Sequence, residues 1–123
     1  MGMISQAAEQ IIGTLVSENY VNETRFAQQF TSGKFSIKHW GKMRIKRELK
    51  MRGVSDYDIN KAIKTIEAGT YLEKLHALSD KRWQQLDGYG AQIKKQKLFQ
   101  YLAYRGWETN LIYQQINRLS SGD

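Results

Sequence analysis

The sequence predicts an all-α protein of tandem three-helix repeats, about seven helices in all, and three observations carry that prediction. The 123 residues include no proline, where an average chain carries about one in twenty, so long helices closed by glycine are favoured. The segment 42–66, KMRIKRELKMRGVSDYDINKAIKTI, can be laid on 95–119, KQKLFQYLAYRGWETNLIYQQINRL, without a gap. In both copies the apolar residues recur at helical spacing on either side of an Arg-Gly pair.

The chain opens at 4–17 with a stretch whose Ile11, Ile12, Leu15 and Val16 suit the closing helix of a unit, since QAAEQIIGTLVSENYV reads like INKAIKTIEAGTYLEK further on. A helix at about 22–32 follows, with Phe26, Ala27 and Phe30 expected inward. Ser32-Gly33-Lys34 and the residues to Gly41 read as a linker. The helix 42–52 places Ile45 and Leu49 four apart on one face and stops at Gly53. With Gly53 in the left-handed conformation, Leu49 and Val54 make the hydrophobic contact of a Schellman cap. Ser55 then caps the next helix, with Asp56 and Asp58 in its first turn and Ile59, Ala62, Ile63 and Ile66 inward.

The second copy repeats this order. A helix at about 70–86 carries Leu72, Leu75, Leu78 and Trp83, and Asp87-Gly88-Tyr89-Gly90 forms a short loop. Leu98 and Leu102 match Ile45 and Leu49, Arg105-Gly106 match Arg52-Gly53, and Trp107 takes the place of Val54. The last helix begins near Thr109 and turns Ile112, Ile116 and Leu119 inward. The organisation read from this is a truncated closing helix at 1–19, one three-helix repeat at 20–69 and another at 70–120. Met1-Gly2 precedes a second methionine in the manner of an expression remnant and enters no structural argument.

Composition narrows the function classes. A chain of this size can bury a core without crosslinks, and the absence of cysteine removes disulfides, thiolate metal sites and cysteine nucleophiles. No apolar run reaches the roughly 20 residues that cross a bilayer, and no signal peptide is recognisable, so a soluble cytoplasmic protein without a membrane partner is expected. His39 and His76 are far apart, no carboxylate, histidine or cysteine grouping has metal-ligand spacing, and Gly-Tyr-Gly lacks the context of a phosphate loop. No nucleophile has a base beside it, while Asp56, Asp58 and Glu67 suit caps. The reading is therefore a non-enzymatic binding protein without cofactor, metal or small-molecule substrate.

The formal charge of +7 predicts attraction to polyanions. It concentrates in the helix from Lys42 to Arg52, where Lys42, Arg44, Lys46, Arg47, Lys50 and Arg52 are opposed by Glu48 alone. Lys42, Lys46 and Lys50 form an i, i+4 row beside the Ile45 stripe, with Arg44 and Arg47 on the far side. Lys34, Lys38 and His39 lie upstream, and Lys94, Lys95, Lys97 and Arg105 occupy the matching helix of the second repeat. Stacked repeats would align these two helices into one basic strip. Such a strip suits phosphates or an acidic protein groove, although a solvated face is the ordinary use of charged residues. Trp40, Tyr89, Tyr101, Tyr104, Trp107 and Tyr113 interleave with the cations, as on a stacking platform, but Trp107 and Trp83 fit the core better.

The run Arg25-Phe26-Ala27, followed by Gly41, Arg44, Ile45, Glu48, Leu49 and Gly53, is similar to the second repeat of the RecX family, and Trp83, Lys97, Leu102, Arg105, Gly106 and Trp107 resemble its third. The resemblance covers about 8–119 and departs from the family in lacking most of the first repeat, as a fragment or a shortened homologue does. It implies three-helix repeats that bind the groove of RecA recombinase filaments on DNA and restrain ATP hydrolysis and strand exchange, with no catalytic residue. The competing function is a nucleic-acid binder, for single- or double-stranded DNA. A helix-turn-helix version is disfavoured because 55–66 carries only Lys61 and Lys64 as cations, so backbone attraction without base readout is the better form. A helical-repeat adaptor for an unrelated acidic protein is the third reading.

Overall fold

The computed structural model describes the backbone of residues 12–121 and the side chains of residues 22–121. It is all helical over that range: α1 (Ile12–Ser36), α2 (Lys42–Met51), α3 (Asp56–Ile63), α4 (Ala68–Gln85), α5 (Ala91–Tyr104) and α6 (Thr109–Ser121). Helix-to-helix backbone packing among them falls within two units, α1–α3 and α4–α6.

Among the described residues six helices stand, where about seven were expected for the chain, and α1 runs unbroken from Ile12 through Ser36. Ser32, Gly33 and Lys34, read from sequence as linker, are helical: without proline, one Gly and two polar residues do not outweigh the packing of Ala27, Thr31 and Phe35 along the inner face of α1. The inward positions expected at Ile11, Ile12, Leu15 and Val16 lie outside the described side chains.

Each unit closes on the same local device. Gly53 and Gly106 have φ of +83° and +92°. The Val54 and Trp107 N–H groups donate back to the Leu49 and Leu102 carbonyls, and the Gly53 and Gly106 N–H groups to Lys50 and Ala103. These are the two bonds of the Schellman cap. Ser55 then caps α3 by accepting the Asp58 N–H at 3.2 Å, and the Glu67 carboxylate caps α4 by accepting the Thr70 N–H at 2.8 Å. That bond and the neighbouring Gly69 N–H hold the Glu67 carboxyl below the usual range.

Ile45, Leu49, Leu98, Leu102, Ile112 and Leu75 are wholly buried, at about 1.5–3 kcal/mol each relative to exposure. One inward assignment fails. Phe26 is exposed, because α1 turns Ala27, its neighbour in sequence, to the core, and Leu72, one of the apolar positions of α4, is exposed beside the buried Tyr71. A helix advances about 100° per residue, so a one-residue error in phase moves a side chain across the boundary of the stripe.

Candidate partner-binding surface

The basic helix α2 has no side chain at its N-cap, which is Gly41. Its first-turn N–H groups are satisfied by the other unit: Gly41 N donates to the Arg105 carbonyl at 2.8 Å and Met43 N to the Gly106 carbonyl at 3.0 Å. Orphan donors at one helix start thus meet carbonyls in the turn after α5, and the two macrodipoles run head to tail. Tyr71 completes the joint. Its hydroxyl accepts the Lys42 N–H at 2.8 Å and donates to the Glu108 carboxylate, and burial first, then that carboxylate, pushes the phenol far above its ordinary pKa. Rings of Phe35, Tyr71 and Trp107 pack together across the units, and the Trp107 indole donates to the His39 carbonyl at 3.2 Å.

This joint sorts the cations that sequence had grouped. Arg44 does not project from the far side of α2: it is half-buried, donates to the Tyr104 carbonyl at 3.1 Å, and lies between the rings of Trp40 and Tyr104, 4.1 and 4.7 Å from their centroids. Lys42 is half-buried too, with its ammonium 4.5 Å from the Tyr71 centroid. Arg52 pairs with Glu48 at 2.9 Å and covers Phe30. That hydrogen bond holds the Glu48 carboxyl below the ordinary range. Lys50 reaches Asp56 on α3 at 2.7 Å, an exposed pair of small energetic weight. Lys46 and Arg47 are exposed and make no ion pair with a described residue.

On α5 the strip is thinner than expected. Lys94 is buried against Trp83, 4.1 Å from its ring centroid, and pairs with Asp87 at 3.2 Å. It is removed from the candidate surface because a long apolar stem can fill core space while its ammonium finds a ring and a carboxylate. Lys95 and Lys97 are half-buried, Lys97 over the Tyr89 ring. Arg105 stacks on Tyr101 at 3.9 Å, with Arg82 4.8 Å from the same ring. Arg82 was missed, and its signal was available: it lies one residue before Trp83 on the amphipathic α4.

The aromatic platform divides in the same way. Trp107 and Trp83 are core, whereas Tyr104 is 68% exposed and Trp40 is partly covered. His39, at φ +61°, has Nδ1 3.0 Å from the Lys74 ammonium. Partial burial, then Lys74, Arg105 and Lys81, lower its pKa. Among the described residues no three His, Cys, Asp or Glu gather as a metal site, and no helix is long and apolar enough to cross a membrane.

Residues 22–63 match the model of the second three-helix domain of RecX, and residues 70–116 match the third. The chain belongs to the RecX family. It is 30% identical over 115 residues to the regulatory protein RecX of Clostridioides difficile (strain 630), covering 94% of this chain and 54% of that one. Against the regulatory protein RecX of Leuconostoc mesenteroides it is 27% identical, over 90% of this chain and 42% of the relative. The regulatory protein RecX of Pseudomonas savastanoi pv. phaseolicola is 29% identical and is covered to 74%. The chain thus spans about half the length of the first two relatives. The crystal structure of RecX from Lactobacillus salivarius superposes with a TM-score of 0.76 at 21% identity, covering 91% of this chain and 73% of that one, and so shares the fold. The two matched stretches fall one in each unit: the first starts inside α1 and ends with α3, and the second starts near the beginning of α4 and ends inside α6.

Proposed function

We propose that this RecX-family chain is a non-enzymatic cytoplasmic regulator that binds RecA filaments on DNA and restrains their ATP hydrolysis and strand exchange. The observation that carries the reading is the exposed side of α2, where Lys46 and Arg47 lack an ion pair to any described residue beside Lys50, on a body fixed by the joint to α5. Family membership supports RecA as the partner, and the surface offers charge suited to an acidic groove. Lys42, Arg44, Arg52, Lys97 and Arg105 take a smaller part, their charge held against rings or carboxylates of the chain itself, and the half-buried Lys95 is less open than Lys46 and Arg47.

One observation favours a second reading, sequence-non-specific nucleic-acid binding: the Trp40–Arg44–Tyr104 stack leaves Tyr104 open to a base, and stacking on such rings tolerates every sequence. ATP hydrolysis by preformed RecA filaments on saturating single-stranded DNA, titrated with this chain beside free-DNA binding in the same buffer, separates the two. Inhibition at concentrations that leave free DNA unbound supports filament regulation. Unchanged hydrolysis with tight, salt-sensitive DNA binding supports the second reading.

A further inference from the structure

The outward side of α2 carries more than charge. Met43, Arg47 and Met51 follow one another at i, i+4 and i+8, a single stripe about 12 Å long at 1.5 Å per residue. Each methionine stands two residues from a core position, Ile45 or Leu49, and so roughly opposite it on the helix. Met43 is 52% exposed and Met51 73% exposed. Lys46 and Lys50 lie one residue from Arg47 and Met51 on the same helix, and Arg44, next to Met43 in sequence, lies under the exposed ring of Tyr104.

Scattered exposed apolar residues need no explanation. Two on one stripe, flanking an arginine that makes no ion pair with a described residue on the strongly basic α2, form a composite surface. A phosphate backbone has no use for it, because a thioether donates no hydrogen bond and carries no charge. Long unbranched methionine side chains instead adapt to irregular apolar protein surfaces. The five cations of α2, with Glu48 the one acid within the helix, fix the sign of the rim that faces them.

We infer that Met43, Arg47 and Met51 dock α2 onto an acidic protein surface that presents apolar side chains, with Lys46 and Lys50 facing its carboxylates. The contact is therefore to protein directly and not to nucleic-acid phosphate. This rests on the reading of α2 as the binding face and adds the chemistry of what it meets.

The test titrates the full chain and two variants, Met43→Ala/Met51→Ala and Lys46→Ala/Arg47→Ala, against RecA filaments on single-stranded DNA and against the same DNA free. Each titration is run at about 50 and about 200 mM salt. Alanine is the best helix former, so neither variant lowers helicity measured by circular dichroism. The methionine variant is expected to lose filament affinity about ten- to hundredfold at both salt concentrations while binding free DNA as the parent does. Met43→Leu/Met51→Leu restores most of that loss, and the cation variant loses more at low salt than at high. A methionine variant that binds filaments as tightly as the parent overturns the inference while leaving filament binding intact. Parallel loss on filaments and free DNA also overturns it, assigning the face to nucleic acid. Absence of filament binding by the parent chain itself removes the underlying reading, and this inference with it.

Discussion

Gly41 and Gly106 meet backbone to backbone across the two units, so closely that a Cβ on Gly41 would stand 2.5 Å from the Gly106 carbonyl oxygen. The contact lets the start of α2 share the carbonyls of the turn after α5. Gly41→Ala is expected to lower stability by about 1–3 kcal/mol through overpacking against backbone that cannot yield. Urea denaturation checks this, and a midpoint equal to the parent's would mean that the units separate freely.

The two cap glycines differ in a way that denaturation can read. Gly53 and Gly106 share a left-handed conformation, but a Cβ on Gly53 meets open space, whereas one on Gly106 falls against the Cβ and backbone of Arg44. Gly53→Ala therefore costs about 1–2 kcal/mol for the backbone conformation alone. Gly106→Ala costs that and the steric term as well. Equal losses would place the whole effect in φ.

Tyr71→Phe removes a hydroxyl that both accepts the Lys42 N–H and donates to Glu108. Leaving those half-buried groups unpaired costs about 1–3 kcal/mol. The expected result is a lower thermal midpoint with unchanged helix content, since the hydroxyl bonds to the starts of α2 and α6 and to no residue inside a helix's own hydrogen-bonded ladder.

The His39 imidazole gives the joint a pH dependence. Its folded pKa is depressed, so the unfolded chain binds the proton more readily. The corresponding stability is complete above the ordinary histidine pKa of about 6.5 and is lost as pH falls from there through the folded value. Thermal midpoints from about pH 8 to about pH 5 should fall less steeply in His39→Asn, because asparagine accepts positive φ but does not titrate. Parallel curves for variant and parent would assign the acid sensitivity elsewhere.

Lys94 and Lys46 should separate folding from binding. Lys94→Ala removes a buried stem, its contact with Trp83 and its pairing with Asp87, so stability falls by about 1–3 kcal/mol while binding to polyanions is retained. Lys46→Ala at an exposed site leaves stability within about 0.5 kcal/mol. Its effect is expected in filament binding, read by titration at low salt.

Much of this fold is legible in short spans of sequence. Leu49-x-x-x-Gly53-Val54-Ser55 and its counterpart Leu102 to Trp107 set helix ends by bonds between residues a few positions apart, and the Ile and Leu stripes follow from helical periodicity. The phase of α1 and α4 was less legible. Phe26 and Leu72 are apolar enough for either side of their helices, and their burial depends on whether Ala27 or Tyr71 meets the neighbouring helix. The candidate surface was legible as charge but not as availability: ten cations were grouped by type, and their chemical roles depend on what stands beside each.

By itself the sequence determined the helical repeat, its glycine caps, its apolar stripes and a concentration of positive charge, because each arises from spacing within about one or two helical turns. The tertiary structure decided which charge is available. Arg44 finds the Tyr104 carbonyl 60 positions away and Trp107 finds His39 at a separation of 68. Contacts of that range form when two units pack, and packing turns some cations into parts of a joint while leaving Lys46 and Arg47 facing outward.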